Sequence, residues 1–186
     1  MKLFELLLLD LERQYYFGGK PEKKAKLIDL SLAVGNVRFL PVLLQRISFA
    51  LYSHKLKFLA KGTSLLNFLL FGIEIGTQCE IGPGLYFPHT IGTVMGASKI
   101  GRNAVIYHQV TIGAKEMDLA FAPEKRPIVG DNVFIGSGAK VLGGITVGNN
   151  VVIGANSVVT KSVPNDVVVA GIPAQIIRSR EPNSQS

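Results

Sequence analysis

Three histidines occur in the 186 residues, His54, His89 and His108, and two of them stand where proton chemistry could be done. Histidine is the side chain whose ordinary pKa, about 6.5, lets it take or give a proton near neutral pH. His89 lies in LYFPHTIG (85–92) and His108 in IYHQVTIG (106–113), each two residues after a large apolar residue, Phe87 or Ile106. An isolated histidine in such a place is ordinarily a half-buried corner residue. A pair in equivalent places of a repeat is different, because the two rings then share one face. Such a pair suits general acid–base work, or supplies two ligands of a metal such as zinc. Cys79 is the one cysteine. It falls in an inward register, where a thiol is buried and inert, so a covalent route through it is not expected.

The element that must position these histidines is a six-residue repeat running from Gly72 to about Ala174. Val129, Ile135, Val141, Val147, Ile153 and Val159 stand in strict register, as do Ile100, Ile106 and Ile112, and Ile75, Ile81 and Phe87. With 47% apolar residues, six consecutive hits at one position have a chance of about one in a hundred, and a short fixed period signals a solenoid. A companion column of small or apolar residues lies two places before: Cys79, Ala104, Val110, Val133, Ala139, Ile145, Val151 and Ser157. Positions two apart share a face of a strand, and glycines such as Gly82, Gly101, Gly130 and Gly148 allow bends without a side-chain clash. Short strands stacked through three bends per coil make a parallel β-helix. Three hexapeptides give a coil of 18 residues, but His89 and His108 are 19 apart. Taking Val94 as the inward residue after Phe87 makes that step seven, which restores the stacking. The histidines should then lie about one strand spacing (~4.8 Å) apart.

Residues 1–70 follow another pattern, that of helices. Residues 1–72 hold 11 Lys and Arg against 5 Asp and Glu, whereas 73–186 hold 9 against 8, so the net charge of +7 is concentrated at the N-terminal side. No acid occurs from Leu30 to Ile73. A basic amphipathic helix pair there has two readings. It packs on the rest of the protein or a neighbouring subunit, or it lies on an anionic membrane through Arg38, Arg46, Lys55, Lys57 and Lys61. Nucleic-acid binding is not expected, for want of base-stacking aromatics or a groove-reading motif beside the charge. The start, MKLFELLLLDLE, is interrupted by Glu5 and Asp10, and no uncharged run reaches the ~20 residues of a spanning helix. A cytoplasmic protein is expected, with peripheral contact at the inner face of the membrane as the variant.

The run IGSGAKVLGGITVGNNVVIGANSVVTKSVPNDVVVAGIPAQII resembles the hexapeptide-repeat acyltransferases, and the resemblance covers residues 71 to 178. It implies a mainly β fold, a left-handed parallel β-helix preceded by a short α-helical segment; ordinary crossover rules would favour the right hand. The division expected is 1–70 helical, 71–175 β-helix, and 176–186 a C-terminal tail. FGIEIG, IGPGLYFPHTIG and IYHQVTIG are similar to the serine acetyltransferase branch. Within it, the layout is similar to short bacterial enzymes that O-acetylate capsule and exopolysaccharide units, such as colanic-acid acetyltransferase.

The resemblance implies acetyl-CoA as donor, no metal, a homotrimer with sites between subunits, and direct transfer to an acceptor hydroxyl. His89 takes the place of the family's catalytic base. Glu74, fifteen residues upstream, stands where the family has an orienting aspartate; the bland reading is a solvated acid on a coil edge. His108 has no equivalent in the serine-specific enzymes, and would bind the acceptor hydroxyl or donate to the thioester oxygen. Ser137, Ala155, Thr160, Lys161 and Arg178 match the coenzyme path, the two cations facing phosphates. The repeat breaks at AKEMDLAFAPEKR (114–126), and Lys125 and Arg126 fall at acceptor-binding positions. A second histidine is missing there, and Pro88 replaces the acid that precedes the catalytic histidine in the serine enzymes.

Those two departures turn the expectation toward a sugar hydroxyl of a capsule or exopolysaccharide precursor, with serine O-acetylation as the alternative. A zinc-dependent carbonic-anhydrase-like β-helix and a non-catalytic scaffold are the further alternatives.

Overall fold

The computed structural model describes residues 2–118 and 120–181. Four helices come first: α1 (Leu3–Phe17), α2 (Leu27–Ala33), α3 (Leu40–Ser53) and α4 (Lys57–Phe71). The Glu5 carboxylate accepts the Lys2 N–H at 3.1 Å, meeting one of the unpaired donors at the start of α1. Helices α3 and α4 form a hairpin in which the Ser48 hydroxyl donates to the Ala60 carbonyl and the Asn67 amide to the Pro41 carbonyl. Helix α4 stops at Gly72, whose φ of 61° is the left-handed conformation glycine accepts freely. The first strand begins one residue later.

From Ile73 the chain winds as a left-handed parallel β-helix, as the resemblance implies. One face holds β1 (Ile73–Ile75), β3 (Thr93–Met95), β6 (Thr111–Gly113), β9 (Lys140–Leu142) and β12 (Val158–Val159). The second holds β2 (Glu80–Ile81), β4 (Lys99–Ile100), β7 (Ile128–Val129) and β10 (Thr146–Val147). The third holds β5 (Val105–Ile106), β8 (Phe134–Ile135), β11 (Val152–Ile153), β13 (Val167–Gly171) and β14 (Ala174–Ser179). Every pairing is parallel except β13 with β14, which close the stack as a hairpin. Residues 176–179, within the stretch assigned to the tail, belong to β14.

The aliphatic register forms three inward columns. Ile75, Met95, Ile112, Val141 and Val159 stack on the first face. Ile81, Ile100, Val129 and Val147 stack on the second, and Ile106, Ile135, Ile153 and Val169 on the third. All are buried in one core, with Phe87, and each such side chain taken from water contributes about 1.5–3 kcal/mol. Val94 is a correction. It faces outward at 40% exposure while Met95 is buried at 1%. The chain steps eight residues from Phe87 to Met95, five to Ile100 and six to Ile106, and the sum still gives the 19-residue offset.

Stacking explains the glycines as well. A Cβ on Gly101 would lie 2.6 Å from the Gly130 backbone, and one on Gly130 2.8 Å from that of Gly148. Left-handed corners are instead taken largely by asparagines, Asn103, Asn132, Asn150 and Asn156, each with φ near 56°, the non-glycine residue that tolerates it best. Their side chains bond up the stack, Asn103 to Asn132 at 2.9 Å and Asn150 to Asp166 at 2.7 Å.

The helices are bolted to the first coil by a buried ion pair. Arg46 on α3 meets both carboxylate oxygens of Asp10 on α1 at 2.9 and 3.0 Å. The guanidinium also donates to the Ile81 and Gly82 carbonyls, while Asp10 accepts the Gly84 and Leu85 N–H groups. Of the two readings of the basic helices, the membrane one put Arg46 on the lipid-facing surface; its side chain is 2% exposed and belongs to this clamp, as packing on the protein requires.

Candidate functional site

His89 lies in the corner that joins the third face to the first. Its turn is tied on both sides: the Thr90 hydroxyl donates to the Phe71 carbonyl at 2.8 Å and the Gly92 N–H to the Gly72 carbonyl at 2.9 Å. The end of α4 and the start of β1 thus fix the base of the loop. His108 occupies the same corner one coil on, and the two imidazoles meet edge to face with centroids 5.6 Å apart. The stacking expected from their spacing is present. The rings open onto a groove of about 360 Å³ lined by His89, Ile91, His108 and Gln109. His89 is exposed and His108 half-buried. His108 Nδ1 is buried with no hydrogen-bond partner among the described residues. An imidazole with an unused nitrogen beside a second, accessible imidazole is equipped to exchange a proton and to hold a polar atom of a substrate.

The edge that carries these rings continues along the stack. Ser137 follows His108 by 29 residues, the β5–β8 offset, and Ala155 follows by a further 18, the β8–β11 offset. The His108 carbonyl accepts the Gly138 N–H at 3.0 Å, and the Ser137 carbonyl accepts the Asn156 N–H at 2.8 Å. His89, His108, Ser137 and Ala155 therefore form one ladder. Thr160 and Lys161 follow β12 at the opposite edge of the first face, both exposed, and Arg178 is exposed on β14. A three-residue strand of about 10 Å separates the histidine edge from Thr160 and Lys161, whereas Arg178 pairs with Val168 on the third face.

Glu74 sits on β1, exposed, in a groove with Ser64, Leu65 and Phe68 of α4. No hydrogen bond or ion pair joins it to His89 among the described residues. The stretch between β6 and β7 carries a short 3-10 turn at Pro123–Lys125. Lys125 is exposed on it. Arg126, expected to meet an acceptor, holds the loop instead. It pairs with the Asp118 carboxylate at 2.9 Å, donates to the Gly96 and Asp118 carbonyls, and stacks 4.0 Å over the Phe121 ring. Cys79 is wholly buried, and burial pushes its thiol up to about 12, which removes it as a nucleophile. Among the described residues no group of three His, Cys, Asp or Glu is placed to hold a metal ion.

Sequence reasoning missed one residue at the site. Arg38, fifty positions before Pro88, donates from Nε to the Pro88 carbonyl at 3.4 Å, next to His89. Its position is set by the Asn36 side chain, which accepts the Arg38 N–H at 2.9 Å, and by the buried Phe39 that follows. The only signal available was its place at the end of a loop rather than within a helix.

The paired histidines and the ladder thus lie on one coil edge of a left-handed β-helix. A model of the bacterial transferase hexapeptide, six repeats, matches residues 126–161. A serine acetyltransferase of Staphylococcus xylosus is 43% identical over 133 residues, covering 71% of this chain and 60% of that protein. The crystal structure of Neisseria gonorrhoeae serine acetyltransferase in complex with serine superposes with a TM-score of 0.77 at 31% identity, covering 95% of this chain and 69% of that one. A serine acetyltransferase complex with CoA gives 0.78 at 28% identity, covering 94% and 69%. The chain belongs to the serine acetyltransferase family of hexapeptide-repeat transferases. It spans about three fifths of the length of the curated relatives it matches. These relatives are named serine acetyltransferases, which corrects the expected nearness to colanic-acid acetyltransferases.

Proposed function

We propose that the protein transfers an acetyl group from acetyl-CoA to the hydroxyl of L-serine. The observation that carries the reading is the His89–His108 pair, 5.6 Å apart at an open groove on a coil edge. The names of the relatives favour serine over a saccharide. In the reaction His89 accepts the hydroxyl proton as the oxygen attacks the thioester carbonyl, and His108 donates a hydrogen bond to the oxygen on which charge gathers. The tetrahedral intermediate collapses by breaking its C–S bond. The departing thiolate takes the proton from the His89 imidazolium, leaving the O-acetyl ester, CoA–SH and neutral His89. Glu74 orients the base only if a neighbouring copy or a bound acceptor brings the two together.

The separation of Thr160 and Lys161 from the histidine edge supports a homotrimer in which one chain contributes the His edge and Ser137 with Ala155. Its neighbour contributes Thr160, Lys161 and Arg178, the cations meeting coenzyme phosphates. Lys125 on the loop between β6 and β7 contacts the acceptor. The test is thiol release from acetyl-CoA with L-serine. His89→Ala should lower kcat by about 100-fold or more while leaving the KM for acetyl-CoA within about twofold, as for loss of a general base. Full activity in that variant would refute the assignment.

A second reading, a lipid-linked saccharide hydroxyl as acceptor, is favoured by the surface of α4. That helix buries Ala60 and Asn67 and turns Phe58, Leu59, Leu66, Leu69 and Leu70 outward, with Phe58 88% and Leu69 67% exposed. Lys57 and Lys61 flank the stripe, and an apolar face rimmed by lysines fits a peripheral seat on anionic lipid. Saccharide turnover exceeding serine turnover would decide for this reading.

A further inference from the structure

A second cavity lies away from the histidines, on the edge between the second and third faces, where α1 meets the corners of the first two coils. It measures about 170 Å³ and is walled by Glu12, Arg13 and Tyr16 of α1, by Pro83 and Gly84 after β2, and by Arg102 and Asn103 after β4. The third face separates its edge from that of His89 and His108. Two arginines line it, and neither guanidinium is within ion-pair distance of a carboxylate among the described residues. Arg13 Nε is buried and has no hydrogen-bond partner among them. The Arg13 guanidinium carbon sits 5.0 Å from the Tyr16 ring centroid and 4.7 Å from that of Phe17, and Phe17 stacks in turn on Tyr86 at 4.6 Å. The rings hold the cation in place but offer no lone pair to its five N–H donors. Burial lowers the Arg13 pKa, the direction expected of a cation short of a counter-charge. Arg102 is exposed, yet its backbone is fixed: its N–H donates to the Asp131 carboxylate at 2.7 Å and its carbonyl accepts the Asn132 N–H at 2.7 Å. Glu12 is the one acid on the wall among the described residues, and it carries its own cation. Its carboxylate accepts from Lys24 Nζ at 3.3 Å and from the Ala25 N–H at 3.2 Å.

We infer that this cavity is a binding site for a phosphate group, free or on a short ester, held between Arg13 and Arg102. Two guanidiniums beside one neutralised acid leave an excess of positive charge, and an arginine presents paired N–H donors that match phosphate oxygens. The volume is well below the roughly 300 Å³ at which pockets begin to enclose drug-sized ligands, which limits the enclosed part to a phosphate and a few further atoms. The walls come from α1 on one side and two coil corners on the other, so an occupant joins the helical segment to the β-helix. Gly84 belongs both to this wall and to the Asp10 clamp, to which it donates its N–H at 2.8 Å. The site is independent of acetyl transfer, and its role is that of an effector site: a ligand that binds only when α1 is docked stabilises the docked state.

The test is thermal unfolding of the full chain against inorganic phosphate and, separately, glycerol 3-phosphate at constant ionic strength. Phosphate stabilises proteins in general by exclusion from their surface, so the reading is the difference between wild type and Arg102→Gln. Wild type should show a saturable rise of about 5–11 °C at about 100-fold excess over the dissociation constant, above the baseline the variant shares. Arg102→Gln, an exposed change that leaves the fold intact, should weaken binding by about 10- to 100-fold, as for loss of a hydrogen bond to a charged group. Arg102→Lys should recover part of the loss, and Arg13→Gln should weaken binding likewise. Lys161→Gln, on the proposed coenzyme path, should bind phosphate as wild type does. Hydrogen exchange at the Gly84 and Asn103 amides, bonded to Asp10 and to the Pro83 carbonyl, should slow on addition of phosphate in wild type and not in Arg102→Gln. The tighter of the two ligands shows whether the site takes the free ion or an ester. A rise linear in phosphate, or equal in wild type and Arg102→Gln, would overturn the inference, as would loss of binding in Lys161→Gln alone.

Discussion

Replacing Asp10 with alanine is the most demanding test of how the helical segment is joined to the coils. The wild-type carboxylate is fully buried and accepts four hydrogen bonds: two from Arg46 and one each from the Gly84 and Leu85 N–H groups. Its loss leaves a guanidinium 2% exposed with only the Ile81 and Gly82 carbonyls for partners, and two backbone donors without an acceptor. Removing one member of a buried ion pair costs about 3–5 kcal/mol, because the surviving charge keeps its desolvation penalty. For a chain of this length that is a fall in melting temperature of roughly 6–20 °C. The double variant Asp10→Leu, Arg46→Met should be more stable than Asp10→Ala, since it removes the stranded charge as well. Urea unfolding of the wild type, both single variants and the double variant gives the coupling energy. Hydrogen exchange at the Gly84 and Leu85 amides reports the same event locally, and both should exchange faster in Asp10→Ala. A loss below about 1 kcal/mol with no coupling between the two positions would refute the argument, since that is the range of exposed pairs.

Four further outcomes are expected. Cys79→Ser should keep its acetyl-transfer activity, and thiol reagents should label Cys79 only after unfolding; a burst of acetylated cysteine in the native protein would contradict this. Because the Cys79 thiol is held neutral in the fold and its pKa is raised to about 12 by burial, its contribution to stability is complete below the unfolded thiol value of about 8.5 and declines as pH rises above it. A stability profile flat from neutral to strongly alkaline pH would speak against that burial. Arg126→Ala should release the loop around Asp118 and speed limited proteolysis between 114 and 125 by about tenfold or more, an opening governed by the lost ion pair. An unchanged cleavage rate would show that Asp118 and Phe121 hold the loop without it. Vesicles rich in anionic lipid should bind wild type more than Leu66→Ser, Leu69→Ser, with both weakened by salt; equal binding would dismiss the lipid seat.

Much of the architecture was legible because a six-residue register repeats one physical event, burial of an aliphatic against its copy in the next coil. The columns through Ile100, Ile106 and Ile112 and from Val129 to Val159 needed only counting. Val94 was misread because the corner at 88–92 lengthens one step and shortens the next, and a count that assumes one added residue lands on the wrong face. The histidine pair was legible for the same reason as the columns, since equal register means shared position. The ion pairs were not. Asp10 and Arg46 are 36 residues apart and nothing in their local sequence distinguishes a buried charge from a solvated one. Arg126 and Asp118 lie in a loop without periodicity, where spacing carries no geometry. Arg38 had the same fault in reverse, a cation read as surface charge that donates to the Pro88 carbonyl beside His89.

The ladder of His89, His108, Ser137 and Ala155 also acts as a ruler. Each rung is one coil, so positions along that edge are spaced in whole increments of about 4.8 Å, three of them amounting to roughly 14 Å from the first ring to Ala155. Side-chain substitution changes what a rung presents and hardly moves the rung. Excision of one complete 18-residue coil would keep the aliphatic columns in register and bring everything beyond it one increment closer to His89. The distance from the histidine groove to any residue farther along that edge is thus set by the number of coils, and it changes by one turn at a time.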